Sequence, residues 1–281
     1  MVPPEFSEAA FWKVVQPNVL PGPPSPMSYT TLVAIEKCPL SWSLLRACYT
    51  DFPADRGYPE KVGLATIAGQ AVHVALERIA GAVANAGCRS TTGADVVPVL
   101  REMGGLTKVL RDASEDVCAK LWVNPRVRHR VGDLASALDR ETPGLRERLQ
   151  SLLGAVGTNI PSSTTEFAGA REPTPFPRGL PAGLHAEVTL RNTDLDWIGK
   201  ADLITLSDCT CEIADFKTGM ESDSHRLQVR IYALLWARDR RVNPNGRLAT
   251  RLALIYRSSV VDVPAPTAPE LVSILKLKTW C

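Results

Sequence analysis

Two short runs, Gly199-Lys-Ala-Asp-Leu-Ile204 and Glu212-Ile-Ala-Asp-Phe-Lys-Thr-Gly219, lie at hairpin distance from each other, and they constrain this chain more than any other stretch. If residues 195 to 206 and 210 to 217 are antiparallel strands turning at Asp208-Cys209, the positions of opposed residues sum to a constant, and Asp202 faces Asp215. Opposed side chains on such a pair have Cβ atoms about 5 Å apart, and like charges there destabilise the sheet. Two facing carboxylates therefore call for a cation. Lys217 is one, since it lies two residues beyond Asp215 and so on the same face of the strand. A divalent metal held by both acids would relieve the repulsion more completely. The spacing predicts a metal site; the alternative is an exposed hairpin whose Asp and Lys are merely solvated.

The rest of the chain has the composition to support such a hairpin with a core. Of 281 residues, 45% are hydrophobic and 22% charged, which is ordinary for a globular protein of one large or two small domains. A net charge of +2 does not by itself attract a polyanion, so any basic surface must come from local clustering. Arg126, Arg128, His129 and Arg130 form one cluster and Arg238, Arg240 and Arg241 another, each readable as a phosphate contact or as a solvated face. Seven cysteines lack regular disulfide spacing. No signal peptide or bilayer-length apolar run is evident, so a reducing cytoplasm is expected, with no membrane role. Cys209 and Cys211 form a Cys-x-Cys pair without the second pair of a structural zinc site, which favours packing or turn roles.

Residues 1–27 end in a Pro-rich run and read as an extension, with the folded domain beginning near Ser28. Ser28 suits the cap of a helix that is interrupted at Cys38-Pro39 and then resumes, and Trp42 within it reads as core, as does Trp236 further on. A second helix is expected from about Thr66 to Ala86, with Gly69, His73 and Glu77 recurring at four-residue steps on one stripe. Residues 88–180 read as a helical insertion and loop, with helix breaks at Gly104-Gly105, Asn124-Pro125 and Pro143-Gly144 and a proline-rich crossing through Pro173, Pro175, Pro177 and Pro181. His185–Leu190 alternates as a strand with Glu187 on one face, and the Asp202/Asp215 hairpin follows. A helix from about Ser222 to Asp239 carries Gln228 and Tyr232 one turn apart, and Arg251–Tyr256 completes a β-α-β unit.

Taken in order, Cys38-Pro39-Leu-Ser-Trp42, Gly69-Gln-Ala-Val-His73, Glu187, Gly199-Lys-Ala-Asp202, Asp215-Phe-Lys217 with Thr218-Gly219, and Gln228-Val-Arg-Ile-Tyr232 resemble the RecB-like branch of the PD-(D/E)XK nuclease superfamily, which includes CRISPR-associated exonucleases. The likeness runs over about residues 28 to 260 apart from the insertion. It implies an α/β fold: a restriction-endonuclease-like mixed central sheet flanked by helices, spanning residues 28–281. It also implies His73, Asp202, Asp215 and the main-chain carbonyl of Phe216 as metal ligands. By the same resemblance Lys217 orients or activates water, Gln228 and Tyr232 brace the site or approach the DNA, and Glu187 adds a carboxylate.

Elementary chemistry agrees with such roles. Attack on an anionic phosphodiester needs a cation to neutralise the phosphoryl oxygens and acidify water. Magnesium or manganese suits an oxygen-rich site, and one histidine tilts the choice towards manganese. A cation beside Lys217 would favour its neutral, proton-accepting form. Some relatives of this kind hold an iron-sulphur cluster on four cysteines; here Cys38 matches the first and only Cys281 lies near the rest, so no cluster is expected unless further ligands follow Cys281. The function expected is a Mg2+- or Mn2+-dependent deoxyribonuclease acting on strand ends or single strands in DNA repair, recombination, phage biology or defence. The alternative is a non-cleaving DNA-binding or scaffold subunit working with a helicase. A hydrolase of small phosphate esters ranks last, because no glycine-rich phosphate loop is present.

Overall fold

The computed structural model describes residues 17–49, 62–88, 93–124, 126–155, 179–217, 219–256, 258–267 and 269–270. The expectations placed on residues 1–16, Pro125, the 156–178 crossing, Thr218 and Cys281 fall outside the described residues.

Helix α1 spans Tyr29–Lys37, and Ser28 caps it by accepting from the Thr31 N–H at 3.2 Å. Helix α2 starts at once, at Pro39–Arg46, because a proline at the first helical position has no N–H to leave unsatisfied and its φ is already helical. Its Trp42 is buried, with the Arg46 guanidinium 5.1 Å above the ring. The packed chain begins earlier than Ser28. Met27 is buried, donates to the Asp196 carbonyl at 2.8 Å and accepts from the Ile198 N–H at 2.8 Å, while Val19 bridges to Cys48. Proline content marked this stretch as an extension, yet its backbone groups find partners.

Three long helices form one layer: α3 (Leu64–Asn85), α5 (Leu106–Trp122) and α6 (Val131–Ala155), with the short α4 (Val96–Glu102) between the first two and a 3-10 turn at Arg128–Arg130 before the last. Gly104 and Gly105, both at φ 84°, make the expected break between α4 and α5. The break expected at Pro143-Gly144 does not occur, and α6 runs through it. An interior proline costs a helix about 3 kcal/mol. Leu138, Leu145, Leu149 and Leu152 are buried on both sides of it, and each fully buried leucine contributes about 1.5–3 kcal/mol. Packing wins over the local propensity.

The sheet holds five strands in the order β1-β2-β3-β4-β5: Gly183–Asn192, Trp197–Leu206, Cys211–Phe216, Arg251–Ile255 and Val260–Val263. β1, β2 and β3 are antiparallel neighbours, β3 and β4 are parallel, and β5 closes the edge antiparallel to β4. The parallel pair is joined by α7 (Asp223–Arg238), the β-α-β unit read from the sequence. β5 was not expected, since it has only four residues and buries just Val263, too little for an alternation to register. One sheet face packs on α3, α5 and α6, and the other on α1 and α7. The result is an α/β protein with a mixed sheet between helical layers. Among the described residues no helix is long and apolar enough to cross a membrane, and the six described cysteines are free thiols. Cys209 is exposed in the turn, whereas Cys211 lies in the core, where burial pushes its thiol up to about 12.

Candidate metal centre

The β2–β3 ladder runs from Leu206↔Cys211 to Leu203↔Ala214 in one constant register, and one further step sets Asp202 against Asp215. The ladder itself stops at Leu203. Beyond it the Phe216 N–H donates to Asp202 Oδ2 at 2.6 Å, so the carboxylate takes the place of a backbone acceptor and is fixed by it. On the other side of β2, Ala186↔Leu203 and Val188↔Ala201 bracket a missing pair, Glu187 and Asp202. Glu187 has φ 53°, a left-handed conformation uncommon for any residue with a Cβ and worth about 1–3 kcal/mol of strain. The two strands exchange faces there. Leu184 packs in the α3 core and Val188 and Leu190 in the α7 core, although strict alternation would put all three on one side. Ala201 and Ile204 likewise both face the α7 core across Asp202. Three carboxylates thus follow one another across β1, β2 and β3 at a deliberate irregularity of the sheet.

Helix α3 brings His73 to this row, with Nδ1 3.4 Å from Asp202 Oδ2 and its ring edge-on to Phe216 at 6.1 Å between centroids. One ligand atom each from His73, Glu187 and Asp202 lie within 4.8 Å of one another. Asp215 stands apart from that trio. It is 2% exposed, and its Oδ2 is ion-paired with Lys217. Lys217 donates to Gln228 Oε1 at 2.6 Å, and Gln228 Nε2 donates to Tyr232 Oη at 2.6 Å, so the two α7 residues brace the lysine in series. Lys200 forms an ion pair with Glu187. This pair crosses between strands, so residue spacing along the chain does not reveal it.

The electrostatics mark this row as short of positive charge. Burial, and then the charge of Asp202, raise the Asp215 carboxyl, against the pull of Lys217 and His73. Burial also raises Glu187, with Asp202 and Glu77 adding to it and Lys200 opposing. Burial disfavours the His73 imidazolium, but the hydrogen bond and charge of Asp202, with Asp215 and Glu187 behind it, outweigh that and raise His73 above its ordinary value. Each shift is one that a cation would reverse.

A cleft of about 1270 Å³ opens over Glu187 and Asp202, lined by them and Lys200 on the sheet and by His73 and Glu77 of α3. Lys120 from α5 and Glu141 and Arg148 from α6 line its far wall. No local pattern singled these out, because they join the site only through packing of the insertion. The two arginine clusters expected from the sequence lie outside this lining. Arg126 donates to the Leu45 carbonyl at 2.9 Å, Arg130 to the Val62 carbonyl at 3.4 Å and Arg240 to the Pro244 carbonyl at 2.9 Å, which are structural uses.

A mixed sheet with acids on adjacent strands, an Asp-x-Lys pair ending the middle one and a helix histidine beside them defines a restriction-endonuclease-like nuclease core. The family model of the PD-(D/E)XK nuclease superfamily matches residues 26–272, and the chain belongs to that superfamily. No curated protein matches the chain. Membership implies a metal-dependent nuclease. The donor set fits a divalent metal: one imidazole nitrogen from His73 and clustered carboxylate oxygens from Glu187 and Asp202.

Proposed function

We propose that this protein is a Mg2+- or Mn2+-dependent deoxyribonuclease of the RecB-like branch, acting on single strands or strand ends. The observation that carries the reading is the group His73, Glu187 and Asp202 lining one cleft, with the buried Asp215–Lys217 ion pair next to Asp202 on the neighbouring strand. His73, Asp202, Asp215 and the Phe216 carbonyl would hold the metal, and Glu187 would add a carboxylate on the outer side. A divalent cation there supplies positive charge for the phosphoryl oxygens and makes nearby water more acidic. Lys217, fixed by Gln228 and Tyr232, orients the attacking water and faces the scissile phosphate. Attack forms a phosphorus–oxygen bond to that water and breaks the bond to the leaving sugar oxygen. Lys120 and Arg148 on the far wall supply charge for the flanking phosphates. In this reading residues 28–281 are the nuclease domain and 88–180 its helical insertion, the end of the 1–27 extension packs against the domain through Val19 and Met27, and a helicase subunit is the natural partner of an end-processing enzyme. Cys38 caps α2, a role that needs no cluster.

The test is cleavage of labelled single- and double-stranded DNA with Mg2+ or Mn2+, alongside Asp215→Ala and Lys217→Ala. Loss of at least about 100-fold in both variants is expected, in line with removal of a group that stabilises transition-state charge. Metal-dependent cleavage surviving both substitutions overturns the reading. DNA binding without cleavage by the intact chain under either metal favours a non-cleaving subunit.

A further inference from the structure

We propose that Lys200 is a tethered cation that stands in for a second metal ion and confines the site to one divalent metal; this rests on the metal-centre reading above. Lys200 makes an ion pair with Glu187, the outermost acid of the row, whose side chain is only 14% exposed. The lysine itself remains 54% exposed at the cleft lining, so its ammonium reaches the acid from the solvent side, where an ion would enter. Its backbone is pinned, because the preceding Gly199 lies flat against Tyr232 and Leu235 of α7. Thr189, its partner across β1, is two residues from Glu187, the diagonal spacing from which a long side chain reaches an acid on the neighbouring strand.

Charge balance gives the consequence. Lys200 interacts with Glu187, Glu77 and Asp202, and Asp202 and Lys217 act in turn on Asp215. Four carboxylates and two ammoniums leave two negative charges when His73 is neutral. One divalent ion cancels them, and a second would leave the site with two uncompensated positive charges in a partly buried setting. Without the Lys200 ammonium, Glu187 faces Asp202 and Glu77 with no cation of its own, and a second ion becomes favourable.

The experiment is Mn2+ titration of the intact chain by calorimetry, with free Mn2+ followed by electron paramagnetic resonance. Wild type is expected to bind one Mn2+ and Lys200→Met two. Lys200→Arg keeps the charge and is expected to bind one. Lys200 is exposed enough for Met to be tolerated, and Lys200→Gln provides a second neutral variant with the same expectation. Two ions in wild type, or an unchanged single ion in both neutral variants, overturns the proposal. No Mn2+ bound by wild type, or binding unaffected by Asp202→Asn, overturns the metal centre itself and the proposal with it.

Discussion

Asp239 and Lys217 are buried or nearly buried ions with opposite visibility in the sequence. Lys217 was readable because its partner Asp215 lies two residues away, on the same strand face. Asp239 also has a partner two residues on, Arg241, but its burial was not readable: it is 1% exposed at the end of α7, and its carboxylate also accepts from the Arg191 N–H at 2.7 Å, 48 residues back in β1. Burial would raise this carboxyl, but the Arg241 guanidinium and the backbone N–H groups of Arg191 and Arg241 outweigh it and hold it below the usual carboxylate range. With a folded value below the unfolded value of about 3.9, the contribution to stability is complete above that pH and disappears as pH falls through the folded value. Asp239→Asn is therefore expected to lose about 2 kcal/mol at pH 7, the range for a buried charged acceptor. The gap to wild type should close in acid. Urea unfolding of both proteins at pH 7 and below pH 4 checks this, and a pH-independent gap would contradict the charge as its cause.

At the level of elements, the site depends on how closely β2 meets α7. A Cβ placed on Gly199 would lie 2.9 Å from Tyr232 Cε1 and 2.9 Å from Leu235 Cδ1, closer than real contacts allow. The glycine of the Gly-x-x-Asp run is thus required by packing and not by backbone freedom. Tyr232 leads through Gln228 to Lys217, so pushing the ring away also loosens the lysine. Gly199→Ala is expected to cost about 1–3 kcal/mol in thermal or urea unfolding, the usual penalty of overpacking. DNA cleavage should fall alongside it while Mn2+ stoichiometry stays at the wild-type value. A variant with unchanged stability and cleavage would show that α7 yields freely here. The hairpin register was legible because hydrophobic pattern and turn length fix it. The face exchange at Glu187 was not, since a left-handed residue inside a strand leaves no mark in residue type when that residue is glutamate.

For the whole molecule, the decisive arrangement is the insertion folded back over the sheet. α3, α5 and α6 share one core with Leu203, Ala214 and Phe216, which turns α5 and α6 into the far wall of the cleft. Lys120 on that wall is exposed and 67 to 95 residues from the strand acids of the row, yet nothing but packing brings it there. If the cleft carries a nucleic-acid strand, Lys120→Glu should weaken DNA binding at every sequence and flatten the dependence of log affinity on log salt by about one unit. Binding isotherms between 50 and 200 mM salt, a range of the kind in which phosphate contacts are read, test it; an unchanged slope would place the strand elsewhere. The sequence alone determined the α/β order and the hairpin register that pairs Asp202, Asp215 and Lys217, because short-range periodicity and turn geometry act over a few residues, while His73, Gln228 and Tyr232 were picked out by the resemblance of their ordered motifs. Only the tertiary structure decided that ligand atoms of Glu187, His73 and Asp202 lie within 4.8 Å of one another, that Lys200 is tied to Glu187, and which residues of the insertion line the cleft. Those contacts arise from packing between segments far apart in the chain, where side-chain burial and not local pattern sets the distances.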